Sequence, residues 1–457
     1  MNGYARQPPT IIALLFSIFM LTGCSLFDDD EPSYPSPASC SSEDYNQYVY
    51  DVMKRFYYWY NEVDPSNQVN PKDTIAYPTP KSLIDALRYT PLDRFSGVTD
   101  AASFNQLFDE GEFIGVGLRL MTDELTDNLM VTSAITGSPA ALAGISRGDR
   151  LVTINGNAAN GLSGDDWTAA WGPREIGYAV TLEIEYKDGT PDTIDVNKAV
   201  VSIDTTQASS VINTPDGNIG YLHFTNFLNS TSIKQLDTQF ENFTTQNVSE
   251  LIVDLRYNGG GSVNTARYLG SLIGGGKTTD TRFTQMIYNN KPNGYDGYTV
   301  TLNFSEVINS LNLNRVFFIT SGGSCSASEL LINSLLPDNG IDVVVVGSAT
   351  CGKPVGSQVQ TECGKSLAVI NFEIRNTDNQ GQYFDGISAS YDGGLTDFCE
   401  AEDDINNPLG DSNESSLAAA MDYISNGQCG AAVKTGMKLK SLTANRESSF
   451  TVMEELY

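Results

Sequence analysis

The 457-residue chain has one histidine, and this scarcity limits the chemistry that its side chains can support. Histidine is the usual base beside a nucleophile and a common zinc ligand. His223 lies in the apolar segment 220–224, where we expect its ring to pack within a strand. Because the chain also lacks a Cys-x-x-Cys pair, the sequence indicates neither a metal site nor a cofactor.

Positive charge is scarce as well. The chain has 27 Lys and Arg residues against 56 Asp and Glu residues, which gives a formal net charge of -29. Proteins that bind nucleic acid usually present a basic surface that displaces counterions from the phosphates. The acidic excess therefore argues against a nucleic-acid partner.

The N-terminal apolar run, residues 11–21, is too short to span a membrane, because it has about 11 residues and a membrane-spanning helix needs about 20. Its position behind Arg6 is typical of a signal peptide. The run ends in Leu-Thr-Gly-Cys, which resembles the bacterial lipobox and implies cleavage before Cys24 and lipid attachment to its sulfur. We therefore expect a lipoprotein signal peptide over residues 1–23.

The residues after Cys24 predict a lipidated acidic linker over 24–40, rich in Pro, Ser and Asp. Its acidic run, 28–31, resembles the surface-export tag of Bacteroidetes-type lipoproteins, and a solvated tether is the alternative interpretation. We expect the protein to lie in the cell envelope, anchored by lipid to the outer membrane on its periplasmic or its surface-exposed face.

Six cysteines follow the one at position 24, and an exported protein can hold them as disulfides. Sequence alone does not fix their pairing. The pairs to test first are Cys351 with Cys363 and Cys399 with Cys429.

Three regions of different pattern follow the linker. Apolar residues at helical spacing, behind Ser41 and Asp44 at capping-box spacing, predict an N-terminal helical domain over 41–110. Residues 111–200 show strand-like runs broken by turns. From 201 to 430 strands and helices alternate, which predicts a mostly parallel sheet covered by helices. The pattern assigns no structure to the C-terminal tail, 431–457.

Ser326 and Lys353 are the candidate catalytic pair, because each follows a predicted strand end, where reactive groups of parallel sheets cluster. A serine needs a base within hydrogen-bond reach, and a lysine can replace histidine in that role. Two alternatives remain. Ser326 and Glu329 also have capping-box spacing, and residues 347–353 nearly spell a phosphate-binding P-loop, although Pro354 replaces its Ser or Thr.

The strings at 137–145 and 148–156 resemble a bacterial PDZ domain. PDZ domains offer the N–H groups of a glycine-bearing loop to a peptide's terminal carboxylate, while the peptide adds a strand to the sheet edge. Here that loop would be Gly115, Val116, Gly117 and Leu118. A simple turn is the alternative role of these glycines.

The PDZ string, the Asp-Leu-Arg-Tyr-Asn-Gly-Gly-Gly motif at 254–261, and the Ser-Cys-Ser-Ala-Ser-Glu motif at 324–329 with Gly352-Lys353 occur together. From about Ser41 to Gly430 the chain thereby resembles the C-terminal processing peptidases, or tail-specific proteases. The resemblance implies a multidomain α+β fold: an N-terminal helical domain, a PDZ domain over 111–200, and an α/β peptidase core of crotonase-like ββα units over 201–430.

The resemblance also implies residue roles. Ser326 would be the nucleophile, Lys353 its base and Gln358 the residue that orients the lysine, while the N–H groups of Gly260 and Ala327 would form the oxyanion hole. To accept a proton, Lys353 needs a pKa lowered from about 10.4, which burial can cause.

The implied function is that of a serine endopeptidase that binds unstructured C-terminal tails of extracytoplasmic proteins and cuts them through an acyl-enzyme. One alternative is a non-catalytic lipoprotein that keeps the fold and binds peptides or other ligands. Another is a scaffold that uses only the PDZ domain.

Overall fold

The computed structural model describes most of the chain from residue 33 onward. The described residues are 33–62, 69–162, 164–292, 294–337, 340–431 and 436–441. The predicted signal peptide, Cys24 and most of the acidic linker lie outside them. Within the described residues, no helix combines the length and the apolar composition that crossing a membrane requires.

The N-terminal region is helical, as predicted. Its elements are α1 (Ser42–Phe56), α2 (Pro80–Leu87), β1 (Gly97–Asp100) and α3 (Ala101–Asn105), followed by a π-helical turn, Gln106–Glu110. Helix α1 begins after Ser41, whose side chain accepts the N–H of Asp44 at 3.2 Å. The apolar side of α1 packs into the same hydrophobic cluster as the main sheet of the C-terminal core, so this region shares that core.

An antiparallel sheet with its own apolar cluster follows. The elements are β2 (Glu112–Gly115), β3 (Leu118–Asp123), β4 (Leu129–Ala134), α4 (Pro139–Leu142), β5 (Arg150–Ile154), β6 (Asn157–Ala158), α5 (Gly164–Trp171), β7 (Ala179–Glu185), β8 (Pro191–Asn197) and β9 (Ala199–Ser202). The strand order is β3-β4-β5-β7-β8, and all neighbours are antiparallel. Trp167 and Trp171 of α5 are buried in this cluster.

The remaining chain forms an α/β core. Its first half contains β10 (Ser210–Thr214), β11 (Gly217–His223), α6 (Ser230–Thr245), β12 (Val248–Asp254), α7 (Val263–Gly274), β13 (Arg282–Tyr288) and β14 (Thr299–Asn303). Its second half contains β15 (Arg315–Thr320), α8 (Ala327–Leu335), β16 (Asp342–Gly347), β17 (Val355–Gly356), β18 (Gln360–Glu362), β19 (Lys365–Ala368), β20 (Phe372–Arg375), β21 (Asp397–Glu400) and α9 (Ser415–Asn426).

The main sheet of this core has the order β10-β11-β12-β15-β16-β21 and is parallel except for the β10–β11 pair. The mostly parallel sheet predicted from the sequence is therefore confirmed. A smaller sheet has the order β14-β13-β20-β17, and β1 of the N-terminal region joins β19 and β18 in another.

The register of the main sheet brings three strand ends to one edge. Asp254, which ends β12, lies beside Ile319, and Thr320, which ends β15, lies beside Gly347 at the end of β16. The loops that leave these strands therefore start side by side. His223 ends β11 and is buried there; burial lowers its pKa to about 4, so it is neutral and packs as expected.

A short strand from the C-terminal tail, β22 (Leu439–Ser441), extends the antiparallel sheet beyond β3. Leu439 lies opposite Asp123, and Ser441 lies opposite Met121. The sequence pattern assigned no structure to this segment. A strand of three residues is too short to show a periodicity.

Three disulfides join the six described cysteines. They are Cys40–Cys363, Cys325–Cys351 and Cys399–Cys429. The prediction for Cys399 with Cys429 is confirmed, and that for Cys351 with Cys363 is wrong. Cys325 and Cys351 follow the neighbouring strands β15 and β16, and this adjacency brings them within reach of each other.

Candidate active site

A cleft of about 340 Å³ opens where the loops after β12, β15 and β16 meet. Gly260 from the first loop, Ser326 and Ala327 from the second, and Lys353 from the third all line it. The structure thus brings these four predicted residues to one site. Strand order and register explain why these residues lie together, because the three loops leave adjacent strands.

Strand β3 of the antiparallel sheet also lines the cleft, through Arg119, Leu120 and Met121. The Arg119 guanidinium donates to the carbonyl oxygen of Tyr257 at 3.2 Å and to the side chain of Asn226. The edge of the antiparallel sheet is therefore bonded to the loop after β12 and forms part of the cleft.

Ser326 precedes α8 in a strained backbone conformation, with φ of 56° and ψ of -108°. A positive φ is costly for any residue with a side chain, by about 1–3 kcal/mol, and persists only where neighbours enforce it. Two contacts to Asn258 hold this loop, since its carbonyl oxygen accepts the N–H of Cys325 at 3.0 Å and the hydroxyl of Ser328 at 2.9 Å.

Glu329 joins the serine loop to the lysine loop, and this role was missed from the sequence. One carboxylate oxygen accepts the backbone N–H groups of Ser326 and Lys353, each at 2.9 Å. The other accepts the N–H of Gly352 at 2.7 Å and the hydroxyl of Thr350 at 2.5 Å. The capping-box spacing indicated only the contact with Ser326.

Lys353 is half-buried in the wall of the cleft, and its desolvation there lowers its pKa to about 8. Asp93 and Glu329 favour the charged form, and Arg94 disfavours it, but desolvation is the largest cause. The ammonium nitrogen lies 5.0 Å from the ring centroid of Phe95. The N-terminal region thus forms part of the lysine's surroundings, which no local pattern in the sequence indicated.

The predicted oxyanion hole is only partly supported by the geometry. Ala327 begins α8, so its N–H has no acceptor within the helix, and the residue lines the cleft. The N–H of Gly260, however, donates to the side-chain oxygen of Asn258 at 2.9 Å. In this conformation a neighbouring side chain takes the Gly260 donor, so the role of Gly260 in an oxyanion hole stays a prediction.

Close approach explains the glycine at position 260. Its φ is 108°, and an added Cβ would lie 2.8 Å from the Cβ of Ser326 and 3.0 Å from the nitrogen of Ala327. Only a residue without a side chain can bring the backbone so near to the loop that carries Ser326.

Gln358 lies in a cluster of polar side chains beside the cleft. Its side-chain oxygen accepts hydrogen bonds from Tyr295, from Asn371 at 3.1 Å and from Tyr34 at 3.3 Å. Its neighbours Ser357 and Val359 line the cleft. The predicted role of Gln358 in orienting Lys353 stays a prediction.

The predicted carboxylate-binding loop, Gly115 to Leu118, is buried throughout. The carbonyl oxygens of Val116 and Gly117 accept the N–H groups of Ala140 and Ile135, each at 2.9 Å. A Cβ on Gly117 would come within 2.1 Å of Ser138. Close packing against Ser138 and a φ of 87° therefore explain the glycine at position 117.

Buried charges connect the antiparallel sheet to the core. Arg147 donates to Asp403 at 2.7 Å, and Arg256 donates to the same carboxylate at 3.0 Å. The hydroxyl of Tyr257 also contacts Asp403. Asp403 thus ties the loop after β12 to the antiparallel sheet, and it lies outside every motif that the sequence offered.

Cys325, Glu329 and Cys351 bring metal-ligand atom types close together. Both sulfurs are joined in a disulfide, and the Glu329 oxygens accept four hydrogen bonds. The donor atoms of this cluster are therefore already engaged.

Three family models match the chain, each over the region with the corresponding architecture. Peptidase family S41 matches residues 218–390, the peptidase S41 N-terminal domain matches 44–97, and a PDZ domain matches 130–169. The PDZ match begins after the predicted carboxylate-binding loop.

Similar proteins are C-terminal processing peptidases. Carboxyl-terminal-processing peptidase 3 of Arabidopsis thaliana is 28% identical over 64% of this chain and 56% of its own length. Carboxy-terminal processing protease CtpA of Bacillus subtilis is 24% identical over 86% of this chain and 79% of its own length. The chain spans about half the length of several other curated relatives, such as 55% of the Tetradesmus obliquus C-terminal processing peptidase.

A solved structure shares the fold. The crystal structure of a putative S41 protease from Bacteroides fragilis is 20% identical, with a TM-score of 0.61 over 83% of this chain and 97% of that one. The matched models, the relatives and the shared fold agree with one another, and the chain belongs to peptidase family S41, with the N-terminal domain and PDZ domain of that family.

Proposed function

We propose that this protein is a serine endopeptidase in which Ser326 is the nucleophile and Lys353 its general base. The observation that carries the proposal is the Glu329 carboxylate, which holds the backbones of Ser326 and Lys353 on one oxygen beside the shared cleft. A pKa of about 8 leaves an appreciable fraction of Lys353 neutral near neutral pH, as a base requires.

In the proposed reaction, neutral Lys353 takes the proton of the Ser326 hydroxyl as its oxygen attacks a peptide carbonyl. The N–H of Ala327 and the positive end of α8 stabilise the oxyanion that forms. Lys353 then returns the proton to the leaving amine, which leaves an acyl-enzyme on Ser326. Water, activated by the same lysine, hydrolyses the ester and frees the serine.

The oxyanion hole would be completed by a change in the loop after β12. If the peptide of Gly260 turns its N–H from Asn258 towards the substrate, the developing oxyanion gains a second donor. Two donors are the usual arrangement for acyl transfer, and the glycine's conformational freedom permits the turn.

The proposed substrates are unstructured C-terminal tails of extracytoplasmic proteins, bound at the PDZ domain. The position of β3 supports this proposal, because Arg119, Leu120 and Met121 line the cleft that contains Ser326. A peptide that pairs with β3 before Met121, where β22 does not pair, would run directly into the site of cleavage.

The proposed location is the outer membrane, with a lipid on Cys24 as the anchor. Support comes from the Leu-Thr-Gly-Cys ending of the apolar N-terminal run. We expect Cys24→Ala to move the protein from the membrane fraction to the soluble fraction. Equal membrane retention of wild type and variant would contradict the proposal.

A non-catalytic peptide-binding lipoprotein is the second candidate. The engaged N–H of Gly260 and the buried carboxylate loop favour it, since both are closed to a substrate here. The two candidates differ in whether any peptide bond is broken.

Cleavage of an unfolded reporter protein separates them. We expect the wild type to cleave it and Ser326→Ala to lose at least about 10³-fold in rate while melting at the same temperature. Ser348→Ala is the matched control, because Ser348 is exposed just beyond the neighbouring strand β16. Equal rates for wild type and Ser326→Ala would favour the binding protein.

A further inference from the structure

One disulfide joins the two loops that carry the proposed catalytic groups. Cys325 directly precedes Ser326, and Cys351 stands two residues before Lys353; their Cα atoms are 5.2 Å apart. Serine hydrolysis requires no sulfur at either position. The placement of this bond therefore needs another explanation.

Both cysteines are also fixed through their backbones. The N–H of Cys325 donates to the carbonyl oxygen of Asn258 at 3.0 Å, and the N–H of Cys351 donates to that of Ser324 at 3.0 Å. The carbonyl oxygen of Cys351 accepts from Arg94 at 2.6 Å. The disulfide thus lies at the junction of the loops after β12, β15 and β16.

The contacts at this junction matter because the backbone of Ser326 is strained and must be held in place. A residue with φ of 56° relaxes unless its surroundings hold it. The carboxylate of Glu329 restrains the loop from the α8 side, and the disulfide restrains it from the preceding residue. Hydrogen bonds alone can exchange partners, whereas the covalent bond fixes the distance between the two loops.

We propose that Cys325–Cys351 is a positioning element that keeps the Ser326 loop and the Lys353 loop at the separation that proton transfer needs. The inference rests on the proposed function and adds a further pair of residues to it. Neither sulfur takes part in the reaction; the disulfide acts through Ser326 and Lys353.

The chain provides a matched control. Cys399–Cys429 closes a segment of similar length, with a sequence separation of 30 against 26 for Cys325–Cys351. The entropy that a disulfide removes from the unfolded chain depends on this length, so loss of either bond should lower stability similarly. Cys399–Cys429 joins β21 to the chain after α9, and neither of its cysteines is among the described residues that line the cleft.

The test compares Cys325→Ser/Cys351→Ser with Cys399→Ser/Cys429→Ser at a temperature where both remain folded. We expect kcat of the first variant to fall about 10- to 100-fold with KM within about twofold, because small misplacements of reacting groups cost rate. Its pH–rate midpoint should also move, since the surroundings of Lys353 loosen. The control variant should melt earlier by a similar amount and keep kcat within about twofold.

Labelling of Ser326 by a fluorophosphonate, followed in all three proteins, provides a second readout. Slower labelling of only the first variant supports the inference. An active wild type with unchanged kcat, pH midpoint and labelling in the first variant overturns the inference alone, as does equal loss of kcat in both variants. A wild type that neither cleaves nor is labelled overturns the proposed function and the inference with it.

Discussion

The catalytic cleft and the sheet edge beside it differ in how far each is assembled. In the cleft, Ser326, Ala327 and Lys353 come together from loops that leave adjacent parallel strands. At the sheet edge, the predicted carboxylate loop is buried, and β22 already pairs with the far end of β3. The proposed catalytic groups are thus positioned by the core itself, whereas the proposed peptide site on β3 lies on a strand that already pairs with β22.

The largest effect should come from the base. We expect Lys353→Met to lower kcat at least about 10³-fold, because Lys353 is the candidate base for the Ser326 proton among the described residues that line the cleft. Lys365→Met is the matched control, because the ammonium of Lys365 also lies over an aromatic ring. Its nitrogen is 4.8 Å from the ring centroid of Tyr45. Steady-state cleavage of the reporter protein measures kcat of both variants. Similar rates for the two variants would remove the lysine from the mechanism.

The next effect should come from Glu329. Replacement by Gln leaves buried N–H groups of Ser326, Gly352 or Lys353 without an acceptor, at a cost of about 1–3 kcal/mol in the free energy of unfolding. We expect kcat to fall about 10- to 100-fold as the two loops separate.

Glu373→Gln is the control for this substitution. Glu373 is also buried and accepts hydrogen bonds from Tyr58 and from Arg375. Chemical denaturation and reporter cleavage should show lost stability in both variants but lost kcat only in Glu329→Gln. A fully active Glu329→Gln variant would contradict the role of the carboxylate.

The smallest effect concerns the sheet edge. Leu439 of β22 is buried against Met121, Met130, Tyr257 and Ile405. Leu439→Asp should loosen β22 and expose the N–H and carbonyl groups of β3, so that a labelled peptide with a free C-terminal carboxylate binds about 3- to 10-fold more tightly.

Leu125→Asp is the matched leucine control, because Leu125 is 85% exposed in the turn after β3. Fluorescence anisotropy measures both dissociation constants, and the amidated peptide tests whether the carboxylate matters. If Leu439→Asp binds the peptide no better than wild type does, β22 does not compete for the edge.

Much of the catalytic site could be predicted because its residues are tied to strand ends. The valine run Val343–Val346 of β16 and the run over β15 identify two buried strands, and parallel packing then places Ser326 near Lys353. The same adjacency could have paired Cys325 with Cys351. The structure instead pairs Cys363 with Cys40, at a sequence separation of 323.

The contacts that the sequence pattern did not reveal join residues that are far apart along the chain. Gln358 stands near Lys353 in the chain but binds Tyr295 and Asn371. The pairing of β22 with β3 joins residues too distant, and a strand too short, for a pattern to show.

The pH dependence of the acylation rate tests the central claim, that neutral Lys353 activates Ser326, most directly. Burial lowers the pKa of Lys353 to about 8, so the base is protonated below that pH and free above it. With a substrate that does not titrate, the rate should rise about tenfold per pH unit up to a midpoint near 8 and then level off. A rate that stays constant from pH 6 to 10 would contradict the account.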